Sequence, residues 1–436
     1  MRPSKNGELK TMGSVARDSR RKTSFPASAN LVGFQVQIYI CYTRHYLLRG
    51  GPIALALQDL QFDDLYAATD STSDNHLFHL SILSLATLFF GTQHRNTSIT
   101  THGYRLHGFA LKKLNSALSD PQCQLRDDVL LSVLALVLQE AFVPTGEKYF
   151  LKHTTGLEKL LELRGPSMLC SPESYLMFKS VRKIIILASM RRREPSILAR
   201  EEWKNIPWDD ESVEGQAEKY MFDVLADYTV LVSEHDQLLH DGGLENVDAS
   251  KRRDDLVGRA QALLEELYMW KAGWDSYAYP HLETFTSMGT TPLEPHENNA
   301  LSSTLSSHDP SIATTLMLYN TTLIYILEIL ASSYPSPSPF PTPSPSLSPP
   351  PTHSQTDYKA LQQAAALEIS HCIPVHQAHR SQLDPGSLTI AHLAVRTAFM
   401  TFGGSGSLGG GWVMGLLGGG MGGGTGEVFA RGLWGE

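Results

Sequence analysis

Helix-breaking residues are segregated in this chain, and the segregation limits what it can fold into. Nine of the 24 prolines lie in residues 332–352, SSYPSPSPFPTPSPSLSPPPT, and 16 of the 34 glycines lie in residues 403–436. The other 381 residues keep 18 Gly and 15 Pro, below the combined share of roughly 12 % usual for globular chains. Within that body the apolar residues recur at steps of three and four. Met221, Val224, Leu225, Tyr228, Val232, His235 and Leu239 form one stripe, and Leu256, Ala260, Leu263, Leu264, Leu267 and Lys271 another, with Trp270 and Trp274 beside it. This is the period of helices with one buried face. No set of period-2 strands is present, so the pattern predicts an all-α fold of ten to twelve helices, with a disordered basic N-terminus, a Pro/Ser-rich loop and a Gly-rich C-terminal segment.

Helix ends are legible in places. Asp127 and Asp128 precede VLLSVLALVLQEAF and put negative charge, and a candidate N-cap, where a helix dipole favours it. That helix is apolar on most sides and is expected at the centre. The next, around 147–164, stops at Gly165-Pro166, a C′ glycine followed by a residue that cannot continue a helix. Residues 285–311, rich in Thr, Ser, Pro and Asn, read as an inserted surface loop.

Charge and cysteine content exclude several functions. The net charge is −9, but residues 1–25 carry seven basic and two acidic side chains, leaving −14 on the remainder. The body therefore does not offer the concentrated basic surface that phosphate binding needs. Only the arm, with its RRK at 20–22, could act as an import signal or touch nucleic acid, and it has no interleaved aromatic before Phe25 to read sequence. The other basic runs, RRR at 191–193 and KRR at 251–253, are read as solvated surface. Cys41, Cys123, Cys170 and Cys372 are never closer than 47 residues, which excludes zinc fingers and ribbons and a dense disulfide scaffold.

The start lacks the apolar core of a secretory signal, so the chain is expected to stay inside the cell. The apolar runs at 76–90 and 315–330 are shorter than the roughly 20 residues a bilayer requires, and they read as buried helices. The sequons at Asn96 and Asn320 are taken as chance matches.

Local clusters were weighed as chemistry. His371, Cys372, His376 and His379 carry atoms zinc accepts, but Pro374 is expected to break the helix between them and scatter the ligands. His76 and His79 lack an acidic or thiol companion. Gly404-Ser405-Gly406-Ser407-Leu408-Gly409 satisfies the spacing of a dinucleotide loop, with Glu427 beyond it, yet it lies in a segment so rich in glycine that composition alone produces it. The tail is expected to be a flexible link ending in a short helix, EVFARGLW. No catalytic, cofactor-binding or metal residue is assigned, and no cofactor is implied.

Longer runs carry a resemblance. HLSILSLATLFFGTQHRN, then Tyr104 with Phe109–Leu118, Asp127-Asp128-Val129, Glu140, His153 with Gly156, Arg164-Gly165-Pro166 and Trp203-Lys204-Asn205-Ile206-Pro207-Trp208 occur in an order and spacing that resemble the helical regulatory domain of fungus-specific transcription factors. In that family the domain follows a binuclear zinc cluster of six Cys, and this sequence contains no such cluster. From the residues themselves, Arg164 reads as a cation at a helix C-terminus, and Trp203 and Trp208 as packing anchors around Pro207.

The resemblance implies a non-enzymatic regulator of transcription, of a metabolic or biosynthetic gene set, that acts in the nucleus through a protein partner or small effector. A cytoplasmic interaction scaffold or ligand sensor is the alternative, and a glycine-motif enzyme a remote one. No membrane partner is expected. Direct DNA contact rests on the basic arm alone, and dimerisation stays open. The division expected is a basic arm at 1–30, the regulatory domain at 31–331, a Pro/Ser linker at 332–356, closing helices of the same domain at 357–402, and the Gly-rich tail at 403–436.

Overall fold

The computed structural model describes residues 34–58, 77–168, 172–207, 212–240, 247–286, 310–333, 355–378 and 385–418. Fourteen α-helices and no strand occur among them. The helices lie within Val36–Glu436 but for the first residue of α1, and Met1–Gln35 forms a separate unit. The basic arm, the Pro/Ser block from 334 to 354, most of the loop at 285–311, and His76, Cys170, Trp208, His379 and the EVFARGLW segment lie outside the described residues.

The order is α1 (Gln35–Tyr46), α2 (Gly51–Ala56), α3 (Leu77–Gln93), α4 (Thr97–Leu118), α5 (Asp127–Phe142), α6 (Glu147–Arg164) and α7 (Pro172–Arg192). There follow α8 (Glu201–Lys204), α9 (Val213–His240), α10 (Val247–Thr286), α11 (Pro310–Ser333), α12 (Gln355–Ala378), α13 (Pro385–Thr401) and α14 (Leu408–Gly418). The number exceeds ten to twelve because α2 and α8 are short pieces that periodicity does not register.

Packing follows the chain. Helices α3 and α4 form a hairpin, α5 packs on α3 and α6, α7 on α6 and α9, and α11 is surrounded by α9, α10, α12 and α13. Asn96 explains where the hairpin turns, since its side chain accepts from Ile99 N–H at 3.2 Å and caps α4. Gly103 explains how closely the two helices meet. A Cβ there would lie 2.7 Å from Leu88 Cγ and 2.9 Å from Leu88 N. At the end of α6, Gly165 takes φ +69° and returns its N–H to Leu161 O, the glycine stop the sequence predicts.

Helix α5 is buried on nearly every side, from Val129 to Val137 without a break. By length and composition α11 could cross a membrane, but 83 % of its apolar window is buried inside the fold. Asn320, deep in that helix, donates to Leu316 O and to Glu368 Oε2 of α12. A polar group at such depth needs partners.

Three expectations are corrected. Helix α12 runs unbroken through Pro374, whose ring lies exposed one turn before the helix ends, at the loss of its bond to the carbonyl four residues back. The glycine-rich segment is not a loose link at 404–418. A 3-10 turn at Gly404–Gly406 leads into α14, which packs on α12 and α13 with Val413 fully buried. The RRR run is solvated surface only in part: Arg193, at φ +56°, follows α7 exposed and paired with Asp236 at 2.8 Å, but Arg192 is nearly buried against Glu158.

Candidate functional site

The residues that carry the family-like pattern are brought together by folding, mostly as fasteners. Arg164 at the end of α6 donates to Asp127 at the start of α5 at 2.7 Å, so two pattern elements 37 residues apart join opposite helix ends. Glu140 accepts from Thr145 N–H at 3.0 Å and from Thr145 Oγ1, closing the turn between α5 and α6, and burial raises its carboxyl above the usual range. Trp203 is buried and stacked on Phe178 at 6.1 Å. Tyr104 and Phe109, by contrast, are exposed on α4, and a Cβ on Gly156 would meet nothing within 4 Å.

Residues the sequence reading passed over do more. Glu158 on α6 accepts from Ile197 N–H at 3.0 Å, Ser196 Oγ at 3.1 Å and Arg192 Nη2 at 2.8 Å. Thr229 of α9 holds the N–H of Ser196 at 2.9 Å. One buried carboxylate thereby fixes the turn that precedes the tryptophan signature. Beneath α4, Gln139 is fully buried, accepting from Ser84 Oγ at 2.7 Å and donating to His107 Nδ1 at 2.7 Å. Beside His107 lies His153, its pKa lowered to about 4 by burial and then by the neighbouring ring.

Of the His/Cys candidates, His79, His371, Cys372 and His376 fall among the described residues. Cys372 and His376, four apart on the continuous α12, share a buried face, whereas His371 sits off it near Trp412. Burial, then Glu368, pushes the Cys372 thiol up to about 12. No group of three metal-ligating side chains occurs among the described residues. The glycine spacing at 404–409 falls between two helices rather than after a strand.

What the fold does create is a cavity of about 870 Å³, within the range of roughly 300–1,000 Å³ of small-molecule sites. It lies between the early and late helices and has two unlike walls. The α5 side is apolar, with Leu134, Val137, Leu138, Ala141 and Phe142, continued by Phe150 of α6 and by Ile184 and Leu187 of α7, which also brings Lys179, Ser180, Lys183 and Arg191 to the space. Pro52 and Ile53 of α2 close one part of it.

Facing this, α13 presents Thr389, His392 and Arg396 at steps of three and four, with Leu393, Thr397 and Met400 beside them. Tyr325 and Glu328 of α11, Tyr228 of α9 and Arg193 complete the polar wall. Thr397 Oγ1 lies 3.3 Å from the Tyr325 hydroxyl, and the rings of Tyr325 and Tyr228 stand 5.0 Å apart. Burial raises both phenols above their ordinary pKa. Glu328 is exposed although it stands on a largely buried helix, and the surface it shows lines the cavity. Desolvation within the cavity wall raises the pKa of its carboxyl above the usual range, an effect Arg193 and His235 oppose.

The described residues thus form an all-helical domain that contains this cavity. The match of residues 55–367 to the fungal specific transcription factor domain places the chain in that family. It is also similar to the uncharacterized protein AN5342 of Emericella nidulans, 24 % identical over 139 residues, which cover 32 % of this chain and 30 % of that protein. The chain thus matches less than a third of that relative's length. No solved structure matches.

Proposed function

We propose that this protein regulates transcription in the nucleus and that the cavity is its effector chamber. The family membership supports the regulatory role. The observation that supports the chamber is its placement: an occupant would touch α5 and α7 on one side and α11 and α13 on the other, elements far apart in sequence that only the fold brings together. A ligand shifts a conformational equilibrium only by its differential affinity for the two states. A chamber bridging two groups of helices supplies that difference, because closing or splaying them changes every wall contact at once.

Regulation would pass from the chamber to partner proteins, since the body carries a net −14 and is unsuited to phosphate. The test joins the full chain to an unrelated DNA-binding module and reads a reporter gene, alongside the location of a tagged chain. The expected result is a reporter output that changes when the chain is joined, with the tagged protein in nuclei. A chain excluded from nuclei under all conditions, with no effect on the reporter, overturns the reading.

A further inference from the structure

One corner of the cavity holds two polar groups that the described protein leaves unanswered. We propose that this corner seats the head of a neutral amphipathic alcohol, whose hydroxyl accepts from Tyr228 and donates to Glu328 while its hydrocarbon body lies along α5. This deepens the effector reading and rests on it.

Tyr228 stands on α9 with only 2 % of its surface exposed, and it lines the cavity. Its ring packs against that of Tyr325, but its hydroxyl makes no hydrogen bond with another described residue. A buried phenol usually finds such a partner, and a donor left unmet at this depth is destabilising.

Glu328 lies one turn beyond Tyr325 on α11 and shows its exposed surface to the same space. Among the described residues none forms an ion pair or hydrogen bond with its carboxylate, and Arg193, whose charge reaches it, is held by Asp236 instead. Glu328 and the Tyr228 hydroxyl lie within each other's field. An acceptor and a donor thus share one corner, and a single hydroxyl complements both because it donates and accepts at once.

The other charges of the wall are already engaged. Lys183 pairs with Glu218, and Lys179, Arg191, His392 and Arg396 each interact with another group of the protein. An anionic head would meet Glu328 as a like charge with these cations committed elsewhere. An ammonium would meet, besides Glu328, the guanidinium whose charge already reaches that carboxylate. Either would surrender its water at a cost that a neutral hydroxyl avoids. The apolar side chains of α5 cover the rest of the molecule.

Titration calorimetry on the full chain at pH 8 tests this with four probes that share a ten-carbon chain: 1-decanol, decyl methyl ether, decanoate and decylammonium. Decanol is expected to bind once per chain and about tenfold more tightly than the ether, which accepts but cannot donate. Glu328→Leu is expected to erase that advantage. Tyr228→Phe, which removes only the hydroxyl, is expected to weaken alcohol and ether alike by about fivefold. Circular dichroism reports whether each variant folds, and the comparison of alcohol with ether on the unaltered chain stands without them. An ether that binds as tightly as the alcohol, or an alcohol advantage that survives Glu328→Leu, overturns the role of Glu328. Alcohol binding unchanged by Tyr228→Phe overturns that of Tyr228. Decanoate or decylammonium binding more tightly than decanol overturns the neutral head and leaves the chamber as an effector site. Binding of none of the four overturns the ligand class, and the reporter assay then decides separately whether the effector reading survives.

Discussion

The hairpin of α3 and α4 and the space between α5 and α13 each include an apolar helix face, yet one is closed to contact and the other is held apart. In the hairpin, Gly103 removes a side chain where Leu88 must sit. Around the chamber no glycine draws α13 toward α5; instead large side chains such as Phe142, Phe150, Tyr325 and Arg396 stand around a volume they do not fill. Apolar composition therefore does not tell a core from a chamber. What separates them is whether the facing side chains complete each other's shape.

The contrast can be broken experimentally, starting where the closed region is tied most firmly. Glu158→Ala leaves Arg192 and the N–H of Ile197 without their buried acceptor, and breaking such a buried pair is expected to cost about 3–5 kcal/mol. Glu158→Gln, which keeps an acceptor oxygen, should lose less. Urea unfolding monitored by circular dichroism measures both.

On α5 the two sides can be compared directly. Leu136 is fully buried and away from the chamber, whereas Leu138 lines it. Leu136→Ala is expected to cost about 3 kcal/mol and Leu138→Ala less than about 1.5 kcal/mol, because a truncation beside existing free volume creates little new cavity. Equal costs would mean that the chamber closes in solution.

Gly103→Ala comes next. The new methyl meets the backbone of Leu88, which cannot swing aside, so overpacking of about 1–3 kcal/mol is expected. Gly156→Ala, with nothing near its Cβ, should instead be neutral or stabilising by up to about 1 kcal/mol.

A smaller effect concerns pH. His153 has a pKa of about 4 in the fold against an ordinary 6.5. Between those values the unfolded chain binds a proton that the folded chain refuses, so this contribution to stability is complete above 6.5 and declines as pH falls toward 4. His107 is shifted in the same direction by its burial. Denaturation midpoints across that window should fall less steeply for His153→Gln than for the parent chain. Smallest of all, Arg126→Ala breaks an exposed pair with Asp128 and should change stability by no more than about 0.5 kcal/mol.

Much of the helical plan was readable in advance because its causes are local. Asp127 and Asp128 do stand in the first turn of α5, although Arg126 takes the N-cap position and no side chain caps it, and Gly165 does end α6, because dipole and backbone freedom act within a turn or two. The failures have a common origin. Pro374 was expected to break α12 and the glycine segment to be loose, yet burial of Ile369, Cys372 and Ile373 ahead of the proline, and of Val413 in α14, overrides local preference. Arg192 looked like surface because its acidic partner on α6, Glu158, is more than thirty residues away.

The chamber itself left one faint trace, the stripe Thr389, His392 and Arg396 on an otherwise apolar helix. A polar stripe on one helix does not say whether it faces water or a cavity.

By itself, then, the sequence determined the helical class, the positions of several helix ends, the absence of a six-cysteine cluster from this chain and the order of residues that resembles the family. Those depend on residue type and short-range spacing. Only the tertiary structure decided that Arg164 meets Asp127, that Glu158 fastens the turn at Ser196, and that α5 and α13 stand on opposite sides of 870 Å³ of space. Contacts between distant segments are fixed by the shapes of whole helix faces, and no stretch of chain contains both halves of such a fit.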